Sequence, residues 1–396
     1  MRDTPPLILL AAGGTGGHVF PAEALARELL GRGARVALVT DSRGTRFSQE
    51  LIVPVHRVKA CPLGKGLFRK AFSIAVMGIG VAQAMLLIRR QKPSAVVGFG
   101  GYPSVPLLYA AARSGVPIIL HEQNAVLGRA NRTMAPMAKA LCLAFPHVAG
   151  IPPLTDTKIV QTGNPVRPAF AAFRATPYPL LDEDGAIRIL VLGGSLGASV
   201  FSAVVPKALA MMSEALRHRI IVAQQCRAAD LEETRAAYAG VGVIAEVSPF
   251  FTDVPERMAG AHLVIGRAGG GAIAELAAVG RPSILVPFPH GHAGEQKANA
   301  EALAGAGGAW LIPEEVFSPE ALAVRLESLF SIPGTLIKTA TAARGWGTIA
   351  ATDNLADCVY DAMGLPTPKS LAGLTSNPDA SGKEGNLALS TREFYS

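Results

Sequence analysis

Several short clusters in this chain carry groups suited to chemistry. Gly13-Gly14-Thr15-Gly16-Gly17-His18 follows an apolar run, Leu7–Ala12, and precedes a helix that begins near Pro21. Glycines in that position let the backbone approach a ligand closely and aim N–H groups at an anion by the helix N-terminus. The spacing is a poor dinucleotide fingerprint, because Val19 stands where the third glycine belongs. His18, at the mouth of the loop, reads equally as a hydrogen-bonding cap or as a proton acceptor. Gly193-Gly194-Ser195-Leu196-Gly197-Ala198 repeats the arrangement, with Ser195 able to bond a phosphate. Gly266-Arg267-Ala268-Gly269-Gly270-Gly271 is a third such turn, and its helix carries Glu275. A glutamate there suits the helix dipole, or it can accept both hydroxyls of a ribose. Three glycine turns after apolar strands point to one cleft and a phosphate-bearing ligand.

Other clusters add side chains. His121-Glu122-Gln123-Asn124 directly follows an apolar strand, at the carboxyl end where α/β proteins bind ligands. Gly163-Asn164-Pro165-Val166-Arg167 closes the first half, and Arg167 can reach a phosphate or form a surface ion pair. His290-Gly291-His292 with Glu295 has a loose metal-ligand look but lacks a third spaced His or Cys partner. His56, His147, His218 and His262 are isolated, which suits surface or packing roles.

The elements that must hold these groups alternate between short apolar runs and longer helical stretches, the pattern of an α/β chain with parallel sheets. Strands are expected at Leu7–Ala12, Arg35–Val39, Ala95–Phe99, Pro117–His121 and Lys158–Val160. A second series starts at Ile187–Leu192 and runs through Arg219–Ala223, Val243–Ala245, His262–Ile265 and Ser283–Val286. This gives two Rossmann-like domains, 1–166 and 187–345, joined by a linker over 167–186 that carries the acidic run Asp182-Glu183-Asp184. A C-terminal helix is expected over 346–365, and 366–396, rich in Ser, Gly and Asn, reads as a disordered tail.

The 396 residues are 49% hydrophobic and only 17% charged, with mean hydropathy +0.32, yet the net charge is +7. That combination suits a membrane surface or an anionic ligand. A nucleic-acid partner is disfavoured, since Lys and Arg are not interleaved with aromatics. Cys61, Cys142, Cys226 and Cys358 lie far apart with no CxxC pair, which excludes zinc knuckles and suits reduced thiols in a cytosolic protein. Ala71–Ile88 is apolar and uncharged, flanked by Lys65, Arg69 and Lys70 and by Arg89, Arg90 and Lys92. A spanning helix is the weakest reading, because Ser73, Gly78, Gly80 and Gln83 interrupt the run and both flanks are basic. A crossover helix buried on the sheet and a helix with one face in lipid remain open.

These residues in this order resemble the MurG family of peripheral-membrane glycosyltransferases. The likeness runs from about Leu7 to Met363, on Gly13–His18, Gly100-Gly101-Tyr102-Pro103-Ser104, His121–Asn124, Gly163–Arg167, Gly193–Gly197, Gly266–Glu275, and Gln296 with Asn299-Ala300. The resemblance implies a GT-B fold whose two domains face a cleft, with UDP-N-acetylglucosamine (UDP-GlcNAc) held mainly by the second. It implies transfer of GlcNAc to the 4-hydroxyl of the muramyl sugar of lipid I, giving lipid II for peptidoglycan. It also implies peripheral contact of the 65–92 region with an anionic membrane, at the cytoplasmic face of the inner membrane. Carried over by residue, Thr15, Gly16 and Gly17 would lie by the diphosphate and sugar, and Asn124 and Gln296 would bond the sugar. Arg167 and Ser195 would take the diphosphate, Glu275 the ribose, and the backbone near Phe251 would edge the uracil. Ala268 and Ala272 stand where the family usually has hydroxyl residues, and His292 and Gly294 where acidic ones are common. No role passes to them.

Such a transfer needs a base for the acceptor hydroxyl and positive character around the leaving diphosphate. Glycine-loop N–H groups, helix N-termini and Arg167 can supply the second with no metal or other cofactor. His18 is the first choice of base and Glu122 the second. A UDP-sugar epimerase or hydrolase on the same architecture, and a nicotinamide-dependent oxidoreductase, are the rival enzyme classes. A non-catalytic binding protein is the remaining one.

Overall fold

The computed structural model describes residues 4–13, 16–41, 53–62, 66–194 and 197–368, apart from the side chains of Leu67 and His292. The first sheet has seven parallel strands: β1 Leu7–Ala11, β2 Arg35–Thr40, β3 Val55–Arg57, β4 Ala95–Gly98, β5 Ile118–Glu122, β6 Ala140–Leu143 and β7 Lys158–Gln161. Their order is β3-β2-β1-β4-β5-β6-β7. The second sheet holds β8 Ile187–Leu192, β9 Ile220–Gln225, β10 Ile244–Ser248, β11 Leu263–Gly266, β12 Ser283–Leu285 and β13 Ala309–Leu311. Its order, β10-β9-β8-β11-β12-β13, repeats the same winding, a parallel sheet reversing direction beside its first strand. Sequence reading missed β3, β6 and β13. β3 and β13 are only three residues long, and β6 is an alanine-bearing segment after a helical stretch, where pattern cannot separate helix from strand.

The central strands, β1, β2, β4, β5 and β6 of the first sheet and β8, β11 and β12 of the second, are mostly apolar because both faces are covered, whereas the edge strands β3, β7 and β10 are largely exposed. Ile8, Leu10, Val36 and Leu38 pack beneath the helix Gly16–Gly31, while Leu7, Leu9, Ala37 and Val39 point the other way, toward the helices Leu67–Gln91 and Val105–Arg113. The last helix, Ala351–Met363, leaves the second half of the chain and returns to the first sheet. There Leu355, Ala356, Val359 and Tyr360 join the core with Ile8 and Val97. Buried Arg32 fastens it, with Glu28 on its own helix and Asp353 and Asp357 on the returning one.

The linker is less free than its composition suggests. Arg281 is fully buried and donates to the carbonyls of Pro177, Ala259, Val279 and Gly280, while Arg344 donates to Thr176 O. Burial lowers the Arg281 pKa to about 10, which still leaves it charged at neutral pH. Phe170 is buried among Met258, Ile273 and Leu303 of the second half. Phe145 and Ala144 of the first half join the same cluster, so the start of the linker is packed between both halves.

The Leu67–Gln91 helix is long and apolar enough to cross a membrane, yet one narrow stripe is committed to protein. Ser73, Gly80, Ala84 and Ile88 form that stripe. A Cβ on Gly80 would lie 1.9 Å from Lys59 O, Gln83 Oε1 accepts the Lys59 N–H, and Ser73 Oγ donates to Pro62 O. The residues that interrupt the apolar run thus include the ones that dock the helix. Phe68, Phe72, Ile74, Ile79 and Leu86 remain exposed, Phe68 by 91%.

Replacing Arg32 with Met would remove the cation that partly buried Glu28, Asp353 and Asp357 share and would loosen the returning helix. Loss of one partner from a buried ion pair costs about 3–5 kcal/mol, and the exposure of Asp353 and Asp357 brings the expected value to about 2–3 kcal/mol. Urea unfolding should show that loss, with faster amide exchange over 351–363; unchanged exchange there would refute the fastening role.

Candidate active site between the two sheets

The turns after β1 and β4 meet, a Cβ on Gly13 standing 3.2 Å from Gly101 Cα, and the helix that follows β11 reaches Gln123 at the carboxyl end of β5. His18, on the first turn of the helix after β1, is partly buried in a cage of glycines. Cβ atoms built on Gly13, Gly100 and Gly101 would stand 3.4, 3.5 and 3.6 Å from its ring. Those are ordinary contact distances, and it is the φ of 86° and 74° at Gly100 and Gly101 that calls for glycine there. Burial lowers the His18 pKa to about 4 and leaves a neutral imidazole at neutral pH. Gly16 packs under the Phe20 ring, while Gly17 is exposed. Thr15 and Ser195 lie outside the described residues.

The polar run after β5 has a division of labour. His121 is fully buried, with Nε2 3.0 Å from Gly163 O and Nδ1 accepting from Gln123 Nε2 at 2.9 Å. A proton on Nδ1 would meet the Gln123 donor, and burial already lowers this pKa to about 4. Glu122 is buried with four donors on its carboxylate: Asn124 N and Nδ2 on Oε1, Gly128 N and Asn131 Nδ2 on Oε2. Burial raises its pKa, and those hydrogen bonds pull it back. With both oxygens occupied, the arrangement suits a brace for the 123–131 loop and leaves no room for a proton acceptor. Asn131 gave no sequence signal, since its spacing from Glu122 matches no motif.

Arg167 and Glu275 meet each other. Nη2 of Arg167 lies 3.1 Å from Glu275 Oε1, and the guanidinium is sandwiched between Phe20 and Phe170 at 4.6 and 4.8 Å. Burial raises the Glu275 pKa while Arg167 opposes the rise. The two residues expected to take ribose and diphosphate separately are thus one ion pair spanning the cleft. Gln296 Oε1 accepts from Phe288 N at 3.0 Å. Phe251 is buried under the Arg257 guanidinium at 4.2 Å, which itself pairs with Glu246 and Asp253 and stiffens the turn after β10.

The third glycine loop is anchored from behind. Arg267 donates to Val286 O and Pro287 O and pairs with Glu314, so its charge points away from the loop's own backbone. The helix Gly270–Val279 then starts against the first domain. A Cβ on Gly270 would fall 2.0 Å from Gln123 O. Beside it, buried Asn299 accepts from Ala125 N at 2.7 Å and donates to Asn124 Oδ1 and Ala268 O, both at 3.0 Å. Among the described residues no group of three His, Cys, Asp or Glu is placed to hold a metal.

Comparison with known proteins fits this arrangement. Residues 8–142 match the glycosyltransferase family 28 N-terminal domain, and 188–354 match the family 28 C-terminal domain. The UDP-N-acetylglucosamine–N-acetylmuramyl-(pentapeptide) pyrophosphoryl-undecaprenol N-acetylglucosamine transferase of Rhodospirillum centenum is 53% identical over 364 residues, 92% of this chain and 96% of that one. The Bradyrhizobium diazoefficiens protein of the same description is 46% identical, covering 92% of this chain and 100% of its own. Among solved structures, Acinetobacter baumannii MurG superposes with a TM-score of 0.74 at 30% identity, covering 90% of this chain and 100% of that one. A kitacinnamycin glycosyltransferase, at 18% identity over 92% of this chain and 100% of its own, shares the fold with a TM-score of 0.65.

The two neutral imidazoles give the site a pH signature. Their folded pKa values near 4 lie below the unfolded 6.5, so the unfolded chain binds more protons between those values. Stability should be full above about pH 6.5 and fall toward pH 4, by at most about 3 kcal/mol per imidazole. Urea titrations across that window test it. His121→Gln should remove about half of the slope, and a flat profile would refute the assignment.

Proposed function

The chain belongs to glycosyltransferase family 28, both of whose domains it carries in order, and from that premise we propose how its cleft works. It is an N-acetylglucosaminyltransferase of peptidoglycan synthesis, moving GlcNAc to N-acetylmuramyl-(pentapeptide) pyrophosphoryl-undecaprenol. In this reading UDP-GlcNAc lies along the second domain. Its uracil edges the backbone near Phe251, its sugar is bonded by Asn124 and Gln296, and its diphosphate lies by the Gly16–Gly17 and Gly193–Gly197 turns with Thr15 and Ser195. The N–H groups at the start of Gly270–Val279 have no intrahelical partners and favour negative charge nearby.

The 4-hydroxyl of the muramyl sugar attacks C1 of the donor from the face opposite the diphosphate. A C1–O bond forms, the C1–O bond to phosphate breaks, and UDP leaves with inversion to a β-1,4 linkage. His18 takes the hydroxyl proton. The observation that carries this assignment is its neutral imidazole held in the Gly13, Gly100 and Gly101 cage, while the alternative Glu122 has both oxygens occupied. A pKa near 4 makes a weak base, and a diphosphate nearby raises it toward a useful range. Arg167 and Glu275 exchange partners on donor binding. Ribose hydroxyls take over Glu275, and Arg167 turns to the phosphate charge that grows as the bond breaks.

The acceptor is lipid-linked, and the outer side of the Leu67–Gln91 helix suits it. Phe68 and Phe72 are exposed by 91% and 66%, and Arg69, Lys70, Arg89, Arg90 and Lys92 are exposed at the helix ends. An apolar face with cationic ends binds in the plane of an anionic bilayer, which makes this a peripheral contact at the membrane surface.

Release of UDP from UDP-GlcNAc with and without a lipid I analogue tests the reaction, and no acceptor dependence would sink it. His18→Ala should lower turnover by about 10²–10⁴-fold with donor affinity nearly intact. A loss under about tenfold removes His18 from the base role. Phe68→Asp with Phe72→Asp should release the protein from anionic vesicles while turnover of a short-chain soluble acceptor persists. Unchanged sedimentation with vesicles would argue against this face as the contact.

A further inference from the structure

Asn299 sits on the helix Glu295–Gly305 of the second domain, fully buried, yet two of its three hydrogen bonds reach the first. The direction of each bond can be worked out from chemistry alone. The Glu122 carboxylate, holding four donors, acts only as an acceptor, so the end of the Asn124 amide that faces it must be Nδ2. Asn124 Oδ1 therefore faces Asn299, which must offer Nδ2 in return. Its second Nδ2 hydrogen goes to Ala268 O in the third glycine loop, and its Oδ1 is left for the Ala125 N–H. Every position in the chain Glu122, Asn124, Asn299, Ala268 is fixed by its neighbour, and reversing either amide would oppose two like groups. Asn124 is the member only partly buried, and it keeps one N–H and one oxygen lone pair beyond these bonds.

Resting on the donor-site reading above, we propose that Asn299 is a positioning residue that sets which end of the Asn124 amide meets the donor sugar. Sugar recognition by the first domain is thereby made conditional on docking of the second. Because Asn299 bonds the backbone on both sides of the cleft, at Ala125 and Ala268, separation of the domains removes the bond that orients Asn124. UDP alone, whose contacts in that reading do not include Asn124, does not sense this chain, whereas the acetamido sugar does. The absence of a side chain at Gly270, whose Cβ would fall 3.1 Å from Asn124 Oδ1, gives the amide its place.

The test is a double-mutant cycle of Asn124→Ala and Asn299→Ala, read as affinity for UDP, affinity for UDP-GlcNAc, and kcat and KM of transfer. Asn299→Ala is expected to keep UDP affinity within about threefold and to lower kcat/KM for UDP-GlcNAc by about tenfold or more. The double variant should match the worse single one within about threefold, because one residue acts through the other. Multiplying losses, an Asn299→Ala enzyme with unchanged sugar recognition, or an equal loss of UDP affinity would each overturn the proposal. Should Asn299→Ala fail to fold, Asn299→Asp decides, since it keeps the shape and the Ala125 bond but sets an acceptor against Asn124 Oδ1. It is expected to show the same selective loss, and wild-type behaviour would refute the role. Failure of the transferase reading itself would show separately, as wild-type protein that binds UDP-GlcNAc but releases no UDP with acceptor.

Discussion

The cleft depends on one close approach: the start of the Gly270–Val279 helix against the carbonyl of Gln123. A Cβ at position 270 would stand 2.0 Å from that oxygen, a distance no packing adjustment of a side chain can relieve. With no Cβ, the helix N-terminus, its unpaired N–H groups and Glu275 on its second turn come within reach of first-domain groups. Arg167 meets Glu275 and Asn299 meets Asn124 only because that helix is seated this deeply. A larger residue would separate these pairs together.

Around that contact the charges are arranged to be kept, at a cost offset locally. Glu122 is buried with four donors, Arg281 with carbonyl partners, Arg32 with carboxylates, and Arg167 between two aromatic rings. Burying an ion without such partners costs several kcal/mol, so each charge holds the backbone or side-chain groups around it in place. The result is a division between braces and reagents. Glu122, His121 and Arg281 hold loops and linker, while in the proposed reading His18, Asn124, Arg167 and Glu275 meet the substrates. The two carboxylates illustrate the difference, since Glu122 accepts from four protein donors and Glu275 from a single arginine.

Much of this was legible in the sequence, for reasons that differ by feature. Glycine turns after apolar runs announce themselves because close backbone approach tolerates no side chain, and ten of the strands were found through their mostly apolar character. β3 escaped because three residues with His56 and Arg57 carry no apolar pattern, and β6 and β13 because short alanine-bearing runs beside helical stretches read as either element. The apolar helix was ambiguous, since Ser73, Gly80 and Gln83 look like defects in a membrane segment until their partners at 59–62 are known. Glu122 as an alternative base illustrates a deeper limit: residue type proposes chemistry, but occupancy of its oxygens is a property of the loop that follows. Pairing of Arg167 with Glu275 and of Asn124 with Asn299 joins residues over 100 positions apart. No local pattern encodes that.

The chain passes between the two sheets twice, once after β7 and again between Trp346 and Ala351, and these crossings touch. Gly163, with φ of 81°, presents its missing side chain to Thr348, and Asn354 Nδ2 donates to Thr162 O beside it. Trp346 packs on Phe145 at 5.4 Å near the same place. Two adjacent strands of chain form a line about which bodies can rotate but along which they cannot part. Phe170, packed among residues of both halves, and the 174–178 clasp restrain the first crossing. The second has only Gly347 to Ala350 between two helices. A rotation about that line would stretch the bonds that join the domains across the cleft, among them those at Asn299 and at Arg167. In the proposed reading, closure and assembly of the site are then one event, because these are the polar groups that the substrates need oriented.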